Sequence, residues 1–181
     1  MTRFNIARIN TCTENEGPGK RIAIWFQGCL QRCPGCCNPD MIRISPNHII
    51  SLESMLEIIR ESKEKFGISG VTYIGGEPTL QKGLPMLSKE IAALGLGIIA
   101  FTGYRYEDVE GALLYCDLVI DGPYLSAHSS TFRRIIGSDN QRMIFLSDRY
   151  KESADWFTKS ITKNGDFNVC TSGIYFNGDK I

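Results

Sequence analysis

The chain has 181 residues, and its 20 Lys+Arg balance 20 Asp+Glu to a formal charge of zero at pH 7. No diffuse basic field is present to hold a polyanion, which excludes a generic nucleic-acid or membrane-surface binder. At 43% hydrophobic and 22% charged residues, the composition suits one ordinary soluble domain over residues 1–181 and excludes both disorder and two large domains.

The opening MTRFNIARIN lacks the apolar run of a signal peptide, and no stretch of about 18 apolar residues occurs to span a bilayer. The expectation is a cytoplasmic protein with neither nucleic acid nor membrane as partner. The first expected strand is RIAIWFQ, Arg21 to Gln27, β-branched and aromatic, which leads into a cysteine-rich loop. Ser51 offers an N-cap to a helix whose Leu52, Met55, Leu56 and Ile59 follow i, i+3, i+4, i+7 spacing, and Gly67 stops it. VTYI, Val71 to Ile74, reads as a buried strand that ends at Gly75-Gly76-Glu77-Pro78. Leu84, Leu87, Ile91 and Leu94 mark a second amphipathic helix, closed by Gly95.

A third unit runs through LGIIAF, Leu96 to Phe101, into Thr102-Gly103-Tyr104 and a short helical stretch carrying Val109, Leu113 and Leu114. The fourth strand is DLVID, Asp117 to Asp121, followed by Gly122-Pro123-Tyr124. Beyond it come a polar stretch rich in Ser and Arg, a short helix around Ala154 to Thr158, and a closing strand within FNVCTSGIYF.

Strands alternating with helices imply right-handed crossovers, an α/β class and a mostly parallel sheet. A complete eight-unit barrel needs about 250 residues, so the expected architecture is a partial (β/α) barrel or an open sheet. Parallel strands deliver the segments that follow them to one rim, where α/β proteins place their sites. Segments near 17–38, 75–78, 102–104 and 121–124 are expected to form that rim.

Seven cysteines are an odd number, and Cys29, Cys33, Cys36 and Cys37 crowd into nine residues, which is no disulfide framework. In a reducing compartment such crowding points to a metal centre. Cys29, Cys33 and Cys36 form CxxxCxxC, with Pro34 and Gly35 bending the chain so that three thiolates face one point. A structural zinc site wants four ligands, whereas a cubane iron–sulfur cluster on three thiolates leaves one iron open for a substrate or cofactor. Cys37 is placed outside the set, because adjacent residues in a tight loop seldom aim at one metal. The alternative is a structural zinc site completed by Cys12, Cys116 or Cys170; those three otherwise read as small buried apolar side chains.

The pattern resembles the radical S-adenosylmethionine superfamily, and within it the activating enzymes of glycyl-radical enzymes, especially the ribonucleotide-reductase activators. The resemblance rests on Gly17-Pro18-Gly19 with Arg21, Phe26 and Gly28, CxxxCxxC followed by Asn38, GGEP, FTGY, DLVIDGPY and Gly137-Ser138-x-Asn140-Gln141-Arg142. It implies that Cys29, Cys33 and Cys36 bind a catalytic [4Fe-4S] cluster whose fourth iron is chelated by S-adenosylmethionine. It also implies a glycyl-radical enzyme as partner, an anaerobic ribonucleotide reductase, and a flavodoxin-like electron donor. Relatives acting on a small molecule or a peptide, and a non-enzymatic iron–sulfur or zinc module, are the rival readings.

By the same resemblance, Gly75 and Gly76 let backbone approach the methionyl group and Glu77 offsets its ammonium, while GGEP alone would be an ordinary turn. Thr102, Gly103 and Tyr104 fall where relatives touch ribose or adenine. Asp121 resembles an acidic residue near the cofactor, and reads equally well as a turn or capping aspartate. Gly35 stands where many superfamily members carry an aromatic against the adenine, and Cys37 where the reductase activators carry histidine or tyrosine. Arg133, Arg134 and Arg142 are expected to meet a partner or substrate carboxylate or to be solvated, and Arg21 to order the GPG segment near the cluster. His48 and His128 have no ligand spacing.

Overall fold

The computed structural model describes residues 1–158, together with the backbone of residues 165–170 and 173–178. Strands β1 (Arg3–Thr13), β2 (Arg21–Phe26) and β3 (His48–Ser51) precede helix α1 (Leu52–Phe66), β4 (Gly70–Gly75), α2 (Leu84–Ala93) and β5 (Gly97–Phe101). Then follow α3 (Tyr106–Val109), β6 (Leu118–Asp121), β7 (Arg142–Phe145), α4 (Ala154–Thr158), β8 (Gly165–Cys170) and β9 (Gly173–Gly178).

Among the described residues seven strands form one open sheet in the order β3-β1-β2-β4-β5-β6-β7. The central four run parallel, in register from Arg21 opposite Gly70 and Gly70 opposite Gly97. β1 flanks them antiparallel on one side and β7 on the other, and β3 pairs antiparallel with β1 at the outer edge. Of the two expected architectures, the open sheet is the one adopted. The expected closing strand is instead two strands, β8 and β9, which pair with each other as a separate antiparallel sheet.

Both faces of the central strands are buried, so they read as continuous apolar runs rather than alternating ones. Ile22, Ile24, Phe26, Val71, Tyr73, Ile98, Ala100 and Val119 point to the face covered by Met55, Leu56 and Ile59 of α1 and Leu84, Leu87 and Ile91 of α2. On the opposite face, Ile99, Leu118 and Ile120 pack with Ile136, Tyr150 and Phe157, and Ala23, Trp25 and Ile74 form a smaller patch. α1 begins and ends as its sequence indicates: the Ser51 hydroxyl accepts the Ser54 N–H at 3.1 Å, and the Gly67 N–H donates to the Lys63 carbonyl. Cys116 is buried and its thiol pKa is pushed far up by desolvation, and Cys12 packs against the core, as expected for apolar cysteines. The Cys170 side chain lies outside the described residues.

β1, β3 and β7 carry no clear strand pattern. β1 mixes Arg, Asn and Thr into its run and shifts register twice against β2, and β3 is four residues long with an exposed start. Their strand state comes from pairing with neighbours, which local propensity does not record.

The loops after β2, β4, β5 and β6 emerge at one end of the sheet, called the upper end here. Gly17-Pro18-Gly19 precedes β2 and lies at the other end, roughly 17 Å away at about 3.3 Å per residue along the strand. Residues 17–20 therefore do not join the rim expected over 17–38. Adjacency in sequence misleads here, because a strand separates what comes before it from what comes after.

Candidate active site

The loop from Gln27 to Ile42 is stapled at its base: Gly28 N–H donates to Met41 O at 2.8 Å and Cys29 N–H to Ile42 O at 3.1 Å. It is then joined to the segment after β4, where Gly76 N–H reaches Phe26 O and Glu77 N–H reaches Gly28 O, both at 2.8 Å. A Cβ on Gly76 would stand 2.3 Å from Gly28 O, and one on Gly75, at φ +103°, would stand 2.6 Å from Phe26 N. Only glycine permits this backbone-on-backbone contact. Both glycines thus serve chain packing between the two loops, a use the sequence did not disclose.

Cys29, Cys33 and Cys36 are half-buried on this loop and Cys37 is exposed. Cys36 N–H donates to Cys33 O at 3.1 Å, closing the turn over Pro34-Gly35, and Asn38 N–H donates to Cys36 Sγ at 3.4 Å. Burial pushes the Cys29 thiol up, with the charges of Glu77 and Cys33 adding to the effect against backbone N–H groups of Gln31 and Arg32. Among the described residues no three Cys, His, Asp or Glu side chains converge as a ready-made metal site. The donor set nonetheless suits an iron–sulfur cluster: three soft sulfurs on one short loop, with backbone N–H groups aimed at two of them.

Glu77 is 1% exposed. Its Oε1 accepts the Thr79 N–H at 3.1 Å and the hydroxyls of Thr79 at 2.8 Å and Thr102 at 2.9 Å, and its Oε2 accepts the Gly103 N–H at 2.8 Å. Burial pushes its pKa up, against the pull of these donors. The carboxylate is a brace between the loop after β4 and the loop after β5. Thr102 is occupied in turn, since its Oγ1 also accepts the Tyr104 N–H at 3.1 Å. Tyr104 is half-exposed; burial, then the charges of Glu77 and Cys29, push its phenol pKa up. Gln31 of the cysteine loop lies against Gly103, its Cγ 2.9 Å from the Cβ position there.

Asp121 is fully buried at the end of β6. Its Oδ1 accepts Arg142 Nε at 2.9 Å, its Oδ2 accepts the Tyr106 N–H at 2.8 Å, and Arg142 Nη2 reaches Oδ2 as well. Burial alone would raise this carboxyl, but Arg142 and the Tyr106 N–H hold it below the ordinary carboxylate range. Arg142 also pairs with Glu107 at 2.8 Å. The expectation that Arg142 meets a partner carboxylate is corrected: the carboxylates it meets are Asp121 and Glu107 of its own chain. Arg133 is likewise turned inward, donating to Gln141 O at 2.8 Å, and Arg134 lies 3.8 Å over the Trp156 ring.

Arg21 does order the GPG segment, donating from Nη1 to Pro18 O at 3.0 Å, but at the lower end and not beside the cysteines. The patch below the cysteine loop holds a residue with no sequence signal. Arg8 stacks 4.0 Å over the Trp25 ring, beside Ile74, Met41 and Phe101, and went unmarked because β1 carries no strand pattern.

Residues 15–144 match the family described as 4Fe-4S single cluster domain, a span that holds the cysteine loop, GGEP, Asp121 and Arg142. The chain belongs to this family. It is 30% identical over 147 residues to the anaerobic ribonucleoside-triphosphate reductase-activating protein of Enterobacteria phage T4, with 77% of this chain and 93% of that protein aligned. It is 44% identical over 97 residues to the pyruvate formate-lyase-activating enzyme of Staphylococcus aureus strain USA300, covering 52% of this chain but 38% of that enzyme. Among solved structures, QueE from Escherichia coli gives a TM-score of 0.46 at 19% identity, covering 56% of this chain and 53% of that one. The family member is a radical S-adenosylmethionine enzyme of the activating class, with a [4Fe-4S] cluster and S-adenosylmethionine as cofactors. No helix among the described residues is long and apolar enough to cross a membrane.

Proposed function

We propose that this enzyme activates an anaerobic ribonucleotide reductase by removing a Cα hydrogen from one of its glycines. The observation that carries the reading is the likeness to the phage T4 reductase-activating protein over 93% of that protein's length. Residues 1–181 act as one domain, in the cytoplasm, with a flavodoxin-like protein as electron donor. When bound, the cluster and S-adenosylmethionine would supply one-electron chemistry for removing a hydrogen atom.

Cys29, Cys33 and Cys36 hold the cluster in this reading, and Cys37 stays outside. Gly75 and Gly76 keep the loop after β4 pressed against the base of the cysteine loop, so the ligands and the cofactor-facing backbone move as one body. Glu77 fixes Thr102 and Gly103 to that body, and Thr102 in turn accepts the Tyr104 N–H, which sets the position of Tyr104. Tyr104 then offers a ring and a hydroxyl to the cofactor. Gly35 leaves the surface before Cys36 low, and Asp121 anchors the far side of the rim through Arg142.

Electron paramagnetic resonance of the anaerobically reconstituted, reduced enzyme tests the first half. A [4Fe-4S]⁺ signal that changes when S-adenosylmethionine is added is expected, and a signal blind to it overturns the reading. Incubation with the reductase then has to produce a glycyl-radical signal on the reductase; cofactor cleavage without that signal overturns the partner.

A further inference from the structure

Tyr124, just after β6, bridges two loops. Its Cε1 lies 3.6 Å from the Cβ position of Gly35, the residue before Cys36, and its Cδ2 lies 2.9 Å from the Cβ position of Gly137. One edge of the ring thus meets the cysteine loop and the other the GSDNQR segment, and the residue stays partly exposed. Gly35 has φ +73°, a left-handed conformation that strains a bulky side chain, within the turn that joins Cys36 N–H to Cys33 O. An aromatic ring beside Cys36 therefore has to come from another element, and Tyr124 supplies it.

The polar side chains of the GSDNQR segment hold that ring in place. Asn140 Nδ2 donates to Pro123 O at 2.8 Å on one side of Tyr124, and Ser138 Oγ accepts the Leu125 N–H at 3.2 Å on the other. Gln141 Nε2 donates to Gly122 O at 3.1 Å, and its Oε1 accepts the N–H groups of Gly137 at 3.0 Å and Ser138 at 3.1 Å. Main chain pinned before and after a residue fixes where its side chain goes, which is the preorganisation a binding ring requires.

The two ends of the cysteine loop differ in charge. Cys29 lies in the field of the buried Glu77 carboxylate, whereas the side chains against Gly35 are the Tyr124 ring and Ser126, whose Cβ is 3.8 Å from the Cβ position there, both uncharged. S-adenosylmethionine has the same asymmetry, with an ammonium and a sulfonium toward one end and a flat, uncharged adenine at the other. Glu77 favours the cationic end on the Cys29 side, which leaves the adenine for the side where a phenol ring stands. We infer that Tyr124 is the ring on which the adenine of S-adenosylmethionine stacks, held there by the GSDNQR segment. The inference rests on the assignment of Cys29, Cys33 and Cys36 as cluster ligands above.

The test measures the affinity of the anaerobically reconstituted enzyme for S-adenosylmethionine by equilibrium dialysis, with cluster iron and melting temperature recorded for each variant. Tyr124→Leu keeps apolar bulk but removes the ring, and is expected to weaken binding about tenfold, the scale of one base–aromatic stack. Tyr124→Phe keeps the ring and is expected to bind within about twofold of wild type. Iron content and melting temperature are expected to match wild type in both. Undiminished affinity in Tyr124→Leu, a loss in Tyr124→Phe as large as in Tyr124→Leu, or a parallel fall in iron or melting temperature overturns the assignment, because the residue is then idle, a hydroxyl donor or a packing wedge. Failure of the ligand reading shows separately, as full cluster iron in Cys36→Ala, and the inference falls with it.

Discussion

The two ends of the parallel strands solve opposite problems. At the lower end the Arg21 guanidinium is fully buried: Nε donates to Thr72 Oγ1 at 2.7 Å, Nη1 to Tyr150 Oη at 2.9 Å and Nη2 to Val71 O at 2.8 Å. The Thr72 hydroxyl in turn donates a hydrogen bond to Glu16 O at 2.7 Å, so loop, strands and the Tyr150 segment close over one cation. Desolvation lowers the Arg21 pKa, the mark of a charge taken out of water and satisfied by dipoles. At the upper end the loops are also tied to one another, through Glu77 and Arg142, yet Cys37 and Leu30 stay exposed. One end is committed to stability and the other carries the candidate site, and the same strands connect them.

Substitutions at the two ends should separate accordingly. The largest effect on activity is expected from Cys29→Ala, Cys33→Ala or Cys36→Ala, each abolishing cluster iron and 5′-deoxyadenosine formation, while Cys37→Ala retains most of both; iron analysis that finds the cluster lost in the Cys37 variant would reassign the ligands. Arg21→Ala, at the opposite end, is expected to destabilise the fold by about 3–5 kcal/mol, because it leaves Thr72, Tyr150 and several carbonyls buried without their partner. Urea unfolding measures this, and a midpoint near wild type would show that water replaces the guanidinium.

Glu77→Ala should release the brace between the loops after β4 and β5, weakening S-adenosylmethionine binding about tenfold with cluster assembly little changed, a loss on the scale of one charged hydrogen-bond acceptor. Glu77→Gln keeps an oxygen for Thr102 and should recover part of the affinity. Equal affinities in wild type and Glu77→Ala would show that the loops hold their places without it. The smallest effect concerns acid. Asp121 is held below the ordinary carboxylate range in the folded state, so its contribution is complete above the unfolded value of about 4 and lost as pH falls through the folded one. Acid titration of Asp121→Asn should lack this component, and an unchanged acid transition would assign it elsewhere.

The strands β2, β4, β5 and β6 and the helices α1 and α2 were legible in the sequence, because their burial repeats at short intervals that one window captures. β1, β3 and β7 were not, since each is a strand by virtue of a neighbour. The candidate site divides in the same way. The spacing of Cys29, Cys33 and Cys36 and the glycines of GGEP are local facts, visible without a fold. That Glu77 takes its donors from Thr102 and Gly103, or that Asp121 pairs with Arg142, spans 21 to 26 residues of chain and leaves no mark in any single segment.

By itself the sequence determined the α/β class, the run of alternating units and the cysteine loop, because periodicity and ligand spacing are written in consecutive residues. Only the tertiary structure decided which end each segment occupies and what its polar groups bond. It sent the GPG segment to the closed end with Arg21, turned Arg142 inward to Asp121, and used Gly76 for the contact with Gly28. Partner choice for a buried polar group depends on which donors the completed sheet brings within about 3 Å, and that distance exists only after folding.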